Sequence, residues 1–274
     1  MKDLFRSGVL LPFGVAALLF GSGCEVECNE NEEQSGSVCV AKSLKLFEGA
    51  KVTEEVDYAE GGSLTIDGAR GEIRVVEGTA GSVAVTFSPF TNRAYDTPAE
   101  EWQAEIDSLS LEATTDGSDV SIVVSRPSGS NATLGASMVV SLPPEFDGVL
   151  ELLPNVGDAK IDYTAQAADV IVRGQELGDI EARLTNVPPQ ALFETEGDFI
   201  HLELPADGVF NVQALAREAI GDDDGIVTVN APGCDVAEAS PGAKTVSCNG
   251  ATAADPVYNA TATGLSPEIK IDLY

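Results

Sequence analysis

The chain has 274 residues, 43% of them hydrophobic, and sets 45 acidic side chains against 15 basic ones for a formal charge of −30. That apolar content supports a real core and excludes general disorder. Acids spread along the whole length repel nucleic acid and anionic lipid, so neither is a partner for the folded body, while divalent cations, basic proteins and neutral sugars stay compatible.

The N-terminus reads as a targeting segment, residues 1–23. Lys2 and Arg6 give a positive start, and Val9 to Phe20 is an apolar run of 12 residues, too short for a mature spanning helix. Gly21-Ser22-Gly23 then leads into Cys24. This resembles the lipobox of bacterial lipoproteins, although Gly21 stands where that pattern prefers leucine. The resemblance implies acylation of the Cys24 thiol and a new N-terminus there. It also implies a lasting envelope anchor, since several acyl chains on one cysteine hold where a single chain does not. Glu25, in place of the aspartate associated with inner-membrane retention, points to the outer membrane. The runner-up is an ordinary secretory signal cut nearby.

Five cysteines are present: Cys24, Cys28, Cys39, Cys234 and Cys248. An odd count in an exported chain leaves one over. With Cys24 lipidated, the other four fall into two local pairs, Cys28–Cys39 and Cys234–Cys248, favoured among three connectivities because each closes a short loop. Neither pair has C-x-x-C spacing, so both are expected to be staples rather than metal or redox sites.

Residues 24–50 form the next expected unit, an acidic tether without apolar period from Glu25 to Gln34, with the small Cys28–Cys39 loop closing over Ser35-Gly36-Ser37 near its base. Residues 51–274 are the expected body. Ser63–Ile66, Gly71–Val76 and Gly81–Phe87 alternate as strands between glycine turns. Thr97-Pro98-Ala99-Glu100-Glu101 predicts a short helical insert capped by Thr97, with Trp102, Ile106 and Leu109 as its apolar stripe. Trp102 is the only tryptophan and is read as pinning that helix over a sheet end rather than stacking a ligand. Strands resume at Leu109–Ala113 and Asp119–Val124, and Ser125 to Gly135 reads as a polar loop.

From Ser137 to Asn230 the same turn keeps returning: Gly157-Asp158-Ala159, Gly178-Asp179-Ile180, Gly197-Asp198-Phe199, with glycines 21 and 19 residues apart. Each opens an alternating run, and a second strand falls between turns at Val149–Leu153, Ala168–Val172, Ala191–Thr195 and Val209–Ala214. A unit of about 20 residues holding two strands is the period of a stacked β-solenoid. The expected fold is therefore mainly β, stacked parallel strands with one short helical insert; an antiparallel β-sandwich is the alternative. Ile226–Asn230 is a further strand, Ala231 to Asp255 reads as loop, and Val257–Thr263 and Ile269–Tyr274 close the stack.

Chemistry is sparse. His201 is the single histidine, lies in an alternating strand whose register is left open, and serves no G-x-S-x-G elbow, so a structural role is expected. Asp222-Asp223-Asp224-Gly225 is the best calcium candidate, yet it lacks EF-hand and β-roll spacing and reads better as an acidic turn. Phosphate-cradle motifs are absent. Carboxylate pairs are too common here to single out an acid/base pair. No catalytic residue, metal site or cofactor is expected.

The Gly-Asp-Ile-like turns, together with Val140-Ser141-Leu142-Pro143-Pro144 ahead of alternating strands, resemble the bacterial putative-adhesin β-solenoids of the head-GIN type. The resemblance covers about Leu64 to Tyr274, carries no catalytic residues, and departs at the helical insert and at the Cys234–Cys248 loop. It implies a non-enzymatic envelope protein with a binding, adhesive or structural role. Its expected partners are the membrane, through the anchor, and an envelope protein or carbohydrate. A carbohydrate-active enzyme on a β-helix scaffold is the other reading. An acidic cleft with basic neighbours would favour the enzyme, and a flat polar ladder would favour the binding protein.

Overall fold

The computed structural model describes residues 32–35, 38–41, 44–174, 178–219 and 224–274. The expected signal segment, the expected lipidation at Cys24, the expected Cys28–Cys39 pairing, and Asp222 and Asp223 of the acidic turn lie outside the described residues. The chain divides into two compact units, Met1–Lys42 and Ser43–Tyr274. In the first, β1 (Glu32–Ser35) pairs antiparallel with β2 (Val38–Ala41), setting Gln34 opposite Cys39. The end of the expected tether is thus a strand: the Ser35-Gly36-Ser37 turn signal outweighs the lack of apolar period.

The second unit opens with β3 (Leu44–Glu48), β4 (Val52–Asp57), β5 (Leu64–Gly68), β6 (Ile73–Glu77) and the long β7 (Ser82–Ala94). Helix α1 (Ala99–Ile106) follows, then β8 (Ser110–Asp116), β9 (Asp119–Ser125) and β10 (Gly135–Leu142). The repeat region supplies β11 (Val149–Pro154), β12 (Ala159–Ile161), β13 (Asp169–Gly174), β14 (Ile180–Arg183), β15 (Gln190–Thr195), β16 (Phe199–Leu204), β17 (Phe210–Ala216) and β18 (Ile226–Asn230). The chain ends with β19 (Cys234–Ser240), β20 (Ala243–Cys248), β21 (Val257–Ala262) and β22 (Glu268–Leu273).

These strands make two large mixed sheets. Sheet I runs β18-β22-β16-β14-β12-β6-β10-β7-β3, with β4 also on β7; sheet II runs β19-β20-β17-β21-β15-β13-β11-β5-β9-β8. Strands consecutive in the repeat region alternate between sheets, so β11 and β12 do not pair with each other; β11 pairs parallel with β5 and β13, and β12 with β6 and β14. That pattern departs from the antiparallel-sandwich alternative. Antiparallel pairs sit towards the ends, at β7–β10, β8–β9 and β17–β20–β19. Hairpins there pair with outer parallel strands whose edges would otherwise be open.

The layers are not stacked in chain order throughout. β5 lies between β9 and β11 and β6 between β10 and β12, while β21 lies between β15 and β17 and β22 between β16 and β18. A strand pair from near each chain end is therefore enclosed by pairs from further inside. Alternate residues of both sheets point inward and form one buried cluster that includes Leu64, Ile73, Leu150, Val170, Phe193, Ile200, Tyr258 and Ile271. At the turns, glycines stack on one another. A Cβ at Gly197 would lie 2.1 Å from the Gly178 carbonyl oxygen, and one at Gly264 2.6 Å from that of Gly197.

Two local expectations are corrected. Pro98, not Thr97, is the N-cap of α1, and no side chain caps the helix; the helix is held instead by stacking of Trp102 on Phe47 (5.0 Å between ring centroids) and by burial of Ile106. The segment read as loop from Ala231 to Asp255 contains the β19–β20 hairpin, joined at its base by the Cys234–Cys248 disulfide, whose Cα atoms are 4.2 Å apart. Its small and polar residues hide the strand period.

Candidate functional site

Period-two alternation sends every second side chain outward, and parallel register aligns those from successive layers into rows. On sheet I one row reads Arg74, Lys160, Glu181, His201, Lys270, Thr228 across β6, β12, β14, β16, β22 and β18. The next row places Arg183, Glu203, Asp272 and Asn230 side by side. Opposite charges meet along and between these rows: Arg74 with Asp162 (2.6 Å), Lys160 with Glu181 (2.8 Å) and Arg183 with Glu203 (3.8 Å). Arg183 also lies over the Tyr274 ring, 4.1 Å from its centroid, and the Tyr274 hydroxyl donates to the Leu184 carbonyl.

Asp272 is the junction of the ladder. Its Oδ2 meets Lys270 Nζ at 2.5 Å and His201 Nε2 at 2.8 Å. The hydrogen bond from Lys270 and that from His201 hold its carboxyl below the usual range, against the opposing effect of burial. The bond to Glu181 likewise raises Lys160 above the ordinary lysine value. His201 is half-buried, and its strand has a settled register: Ile200, Leu202 and Leu204 point inward, Phe199, His201 and Glu203 outward. Among the described residues no hydroxyl or thiol hydrogen-bonds to its imidazole. The ladder encloses only a shallow depression of about 160 Å³, lined by Lys160, Asp162, Glu181, Arg183, His201 and Glu203.

Sheet II carries a shorter ionic bridge, Arg173 between Glu151 (3.4 Å) and Glu194 (3.5 Å). At the turns, the repeated aspartates tie layers together. Asp158 Oδ1 accepts from the Asp179 N–H (3.0 Å), and Asp198 Oδ1 accepts from the Leu265 and Ser266 N–H groups (2.6 and 3.0 Å). Asp224, the described aspartate of the acidic turn, is exposed, and its backbone forms an isolated antiparallel β-bridge with that of Arg217. Among the described residues no group of three or more His, Cys, Asp or Glu side chains is placed to hold a metal ion, and no helix is long and apolar enough to cross a membrane.

The chain matches no protein-family model and no curated protein. One solved structure shares the fold. It is a protein of Clostridium sporogenes, described as a putative cell adhesion protein, that aligns with a TM-score of 0.54 at 11% identity over 82% of this chain and 99% of its own. A putative adhesin of Bacteroides fragilis aligns more loosely, at a TM-score of 0.31 and 11% identity over 81% of this chain and 97% of its own. At 11% identity the likeness to the Clostridium sporogenes protein is one of architecture.

The sequence reading missed the ladder, although its signal was present. Lys160 and Glu181 are one repeat apart, as are Arg183 and Glu203, so opposite charges at the repeat spacing mark partners on adjacent layers.

Proposed function

We propose that the chain is a non-enzymatic envelope lipoprotein whose rigid stack of strands, a β-solenoid with capped ends, is displayed as a binding surface. The observation that carries this reading is the flat ladder on sheet I. Its carboxylates are engaged by Arg74, Lys160, Arg183, Lys270 and His201 rather than poised around a cleft. Glycosidic cleavage needs two carboxyl groups free to act on either side of a bound sugar. The shared architecture with a putative cell adhesion protein supports the adhesive version of this role.

Cys24 supplies the anchor in this proposal, and the acidic segment after it keeps a strongly negative body off anionic headgroups. Cells making the full chain are compared with cells making Cys24→Ala, by membrane fractionation and by adherence to immobilised envelope material. The reading requires mature chain in the membrane fraction and adherence above that of non-producing cells, both lost in the variant. Mature-length Cys24→Ala chain still in the membrane fraction would remove the anchor, and adherence equal to that of non-producing cells would remove the binding role.

A further inference from the structure

The outward face of sheet II changes character along the stack. Its middle bears the Glu151–Arg173–Glu194 charges, but beyond β15 one row reads Leu192, Asn259, Gln213, Thr245 across β15, β21, β17 and β20. The row beside it reads Gln190, Val257, Asn211, Ser247. In a chain of charge −30 these two rows are amides, hydroxyls and aliphatic groups alone, with Asp169, Glu194 and Asp235 at the margins.

The patch is concave, and neutral except where Asp169 and Arg173 of β13 enter the wall of one depression. A depression of about 230 Å³ against β13, β15 and β21 and another of about 390 Å³ against β17, β20 and the loop after β20 share Val257 in their walls. Part of it is held in place: Ser247 Oγ donates to Asn211 Oδ1 (2.8 Å), and Asn211 Nδ2 donates to the Thr252 carbonyl (2.8 Å). Part of it is unspent. The amides of Gln190, Gln213 and Asn259 have no intramolecular hydrogen-bond partner among the described residues, and all three are exposed.

We infer that this groove is a binding site for a neutral, linear oligosaccharide lying across the strands. An amide offers a donor and an acceptor side by side, which is what a pair of neighbouring sugar hydroxyls requires. Neighbouring strands repeat that offer about every 4.8 Å, a spacing comparable to one pyranose unit. Val257 and Leu192 supply apolar contact for the C–H faces of the rings. An anionic polysaccharide is repelled by the body as a whole, and a basic peptide is better served by the acid-rich faces elsewhere. The inference deepens the binding role proposed above and rests on it.

The test is calorimetric titration of the full-length, detergent-solubilised chain with neutral linear glucan, xylan and mannan hexasaccharides, alongside a basic extended decapeptide, followed by chromatography of the sugars. At least one hexasaccharide binds saturably and is recovered intact. Each of Gln213→Ala and Asn259→Ala weakens it about tenfold, the loss of roughly one hydrogen bond, whereas Glu101→Ala, on the exposed side of α1, leaves it unchanged. Binding lost in Lys160→Ala on sheet I but kept in the two amide variants overturns the site while sparing the binding role. Binding of the peptide but of no hexasaccharide overturns the ligand class. Shortened sugars overturn both this site's role and the non-enzymatic reading, and no binding by any probe overturns the inference while leaving the adherence experiment to judge the role itself.

Discussion

A Cβ on Gly178 would lie 2.0 Å from the carbonyl oxygen of Gly157, one layer away. No side chain fits that gap, so the glycine of each Gly-Asp turn lets successive layers close onto one another, and the aspartate beside it ties its turn to the next layer. Gly178→Ala is expected to cost about 3 kcal/mol, at the upper end of overpacking effects because the obstruction is backbone. Urea unfolding measures it, and an unchanged midpoint would show that the layers have room to separate.

Asp179 stands apart from the other turn aspartates. Burial raises its pKa above the ordinary aspartate value, and the carboxylates of Asp158 and Asp198 raise it further. A carboxyl with a raised folded-state pKa binds its proton more tightly in the native protein, so stability is lost as pH rises from the unfolded value of 3.8 through the folded one. Asp179→Asn should therefore gain on the wild type as pH climbs from 3 to 6. Thermal melts across that range decide it: a difference that shrinks with pH would contradict the assignment.

Asp272 is expected to act in the opposite sense. Its depressed pKa contributes stability above 3.8 that disappears as pH falls through the folded value. Asp272→Asn should remove that acid-side loss and lower stability at neutral pH, where Lys270 and His201 lose their shared partner. A variant as stable as the wild type at pH 7 would make the junction dispensable.

Tyr258 is fully buried, stacked on Phe210 with ring centroids 5.4 Å apart, and its hydroxyl has no hydrogen-bond partner among the described residues. Burial drives its pKa far upward. An unpaired buried hydroxyl costs free energy, so Tyr258→Phe should stabilise by about 1 kcal/mol. A fall in melting temperature would imply that the hydroxyl is satisfied in solution.

The Cys234–Cys248 bridge closes a hairpin with a sequence separation of 14 residues. On the loop-entropy relation, removing it as a paired serine variant should cost about 3 kcal/mol. Denaturation of oxidised and variant chains gives the number directly, and equal stability would leave the bridge without a structural role.

Much of the body was legible because strand alternation and the turn period are local. The Gly157, Gly178 and Gly197 turns announced their layers, and the Cys234–Cys248 pairing followed from loop length. What stayed hidden is non-local. Nothing near Val257 or Glu268 shows that β21 and β22 enter between earlier layers, since that placement depends on which partners remain open when they arrive. The β19–β20 hairpin was missed because Ala237, Glu238, Ala239 and Ser240 alternate no apolar group larger than a methyl, and the strand stays exposed. The charge ladder needed the register as well as the residues, and the register of β16 was undecided until its neighbours were placed.

The central claim is binding without turnover from an anchored, rigid surface. It is tested most directly by incubating cells that display the full chain on surfaces coated with neutral polysaccharide, counting adherent cells and assaying the same supernatant for released sugar. The account predicts adherence that depends on Cys24 and a supernatant free of new reducing ends. Sugar released in proportion to the displayed chain would contradict it and make the protein an enzyme.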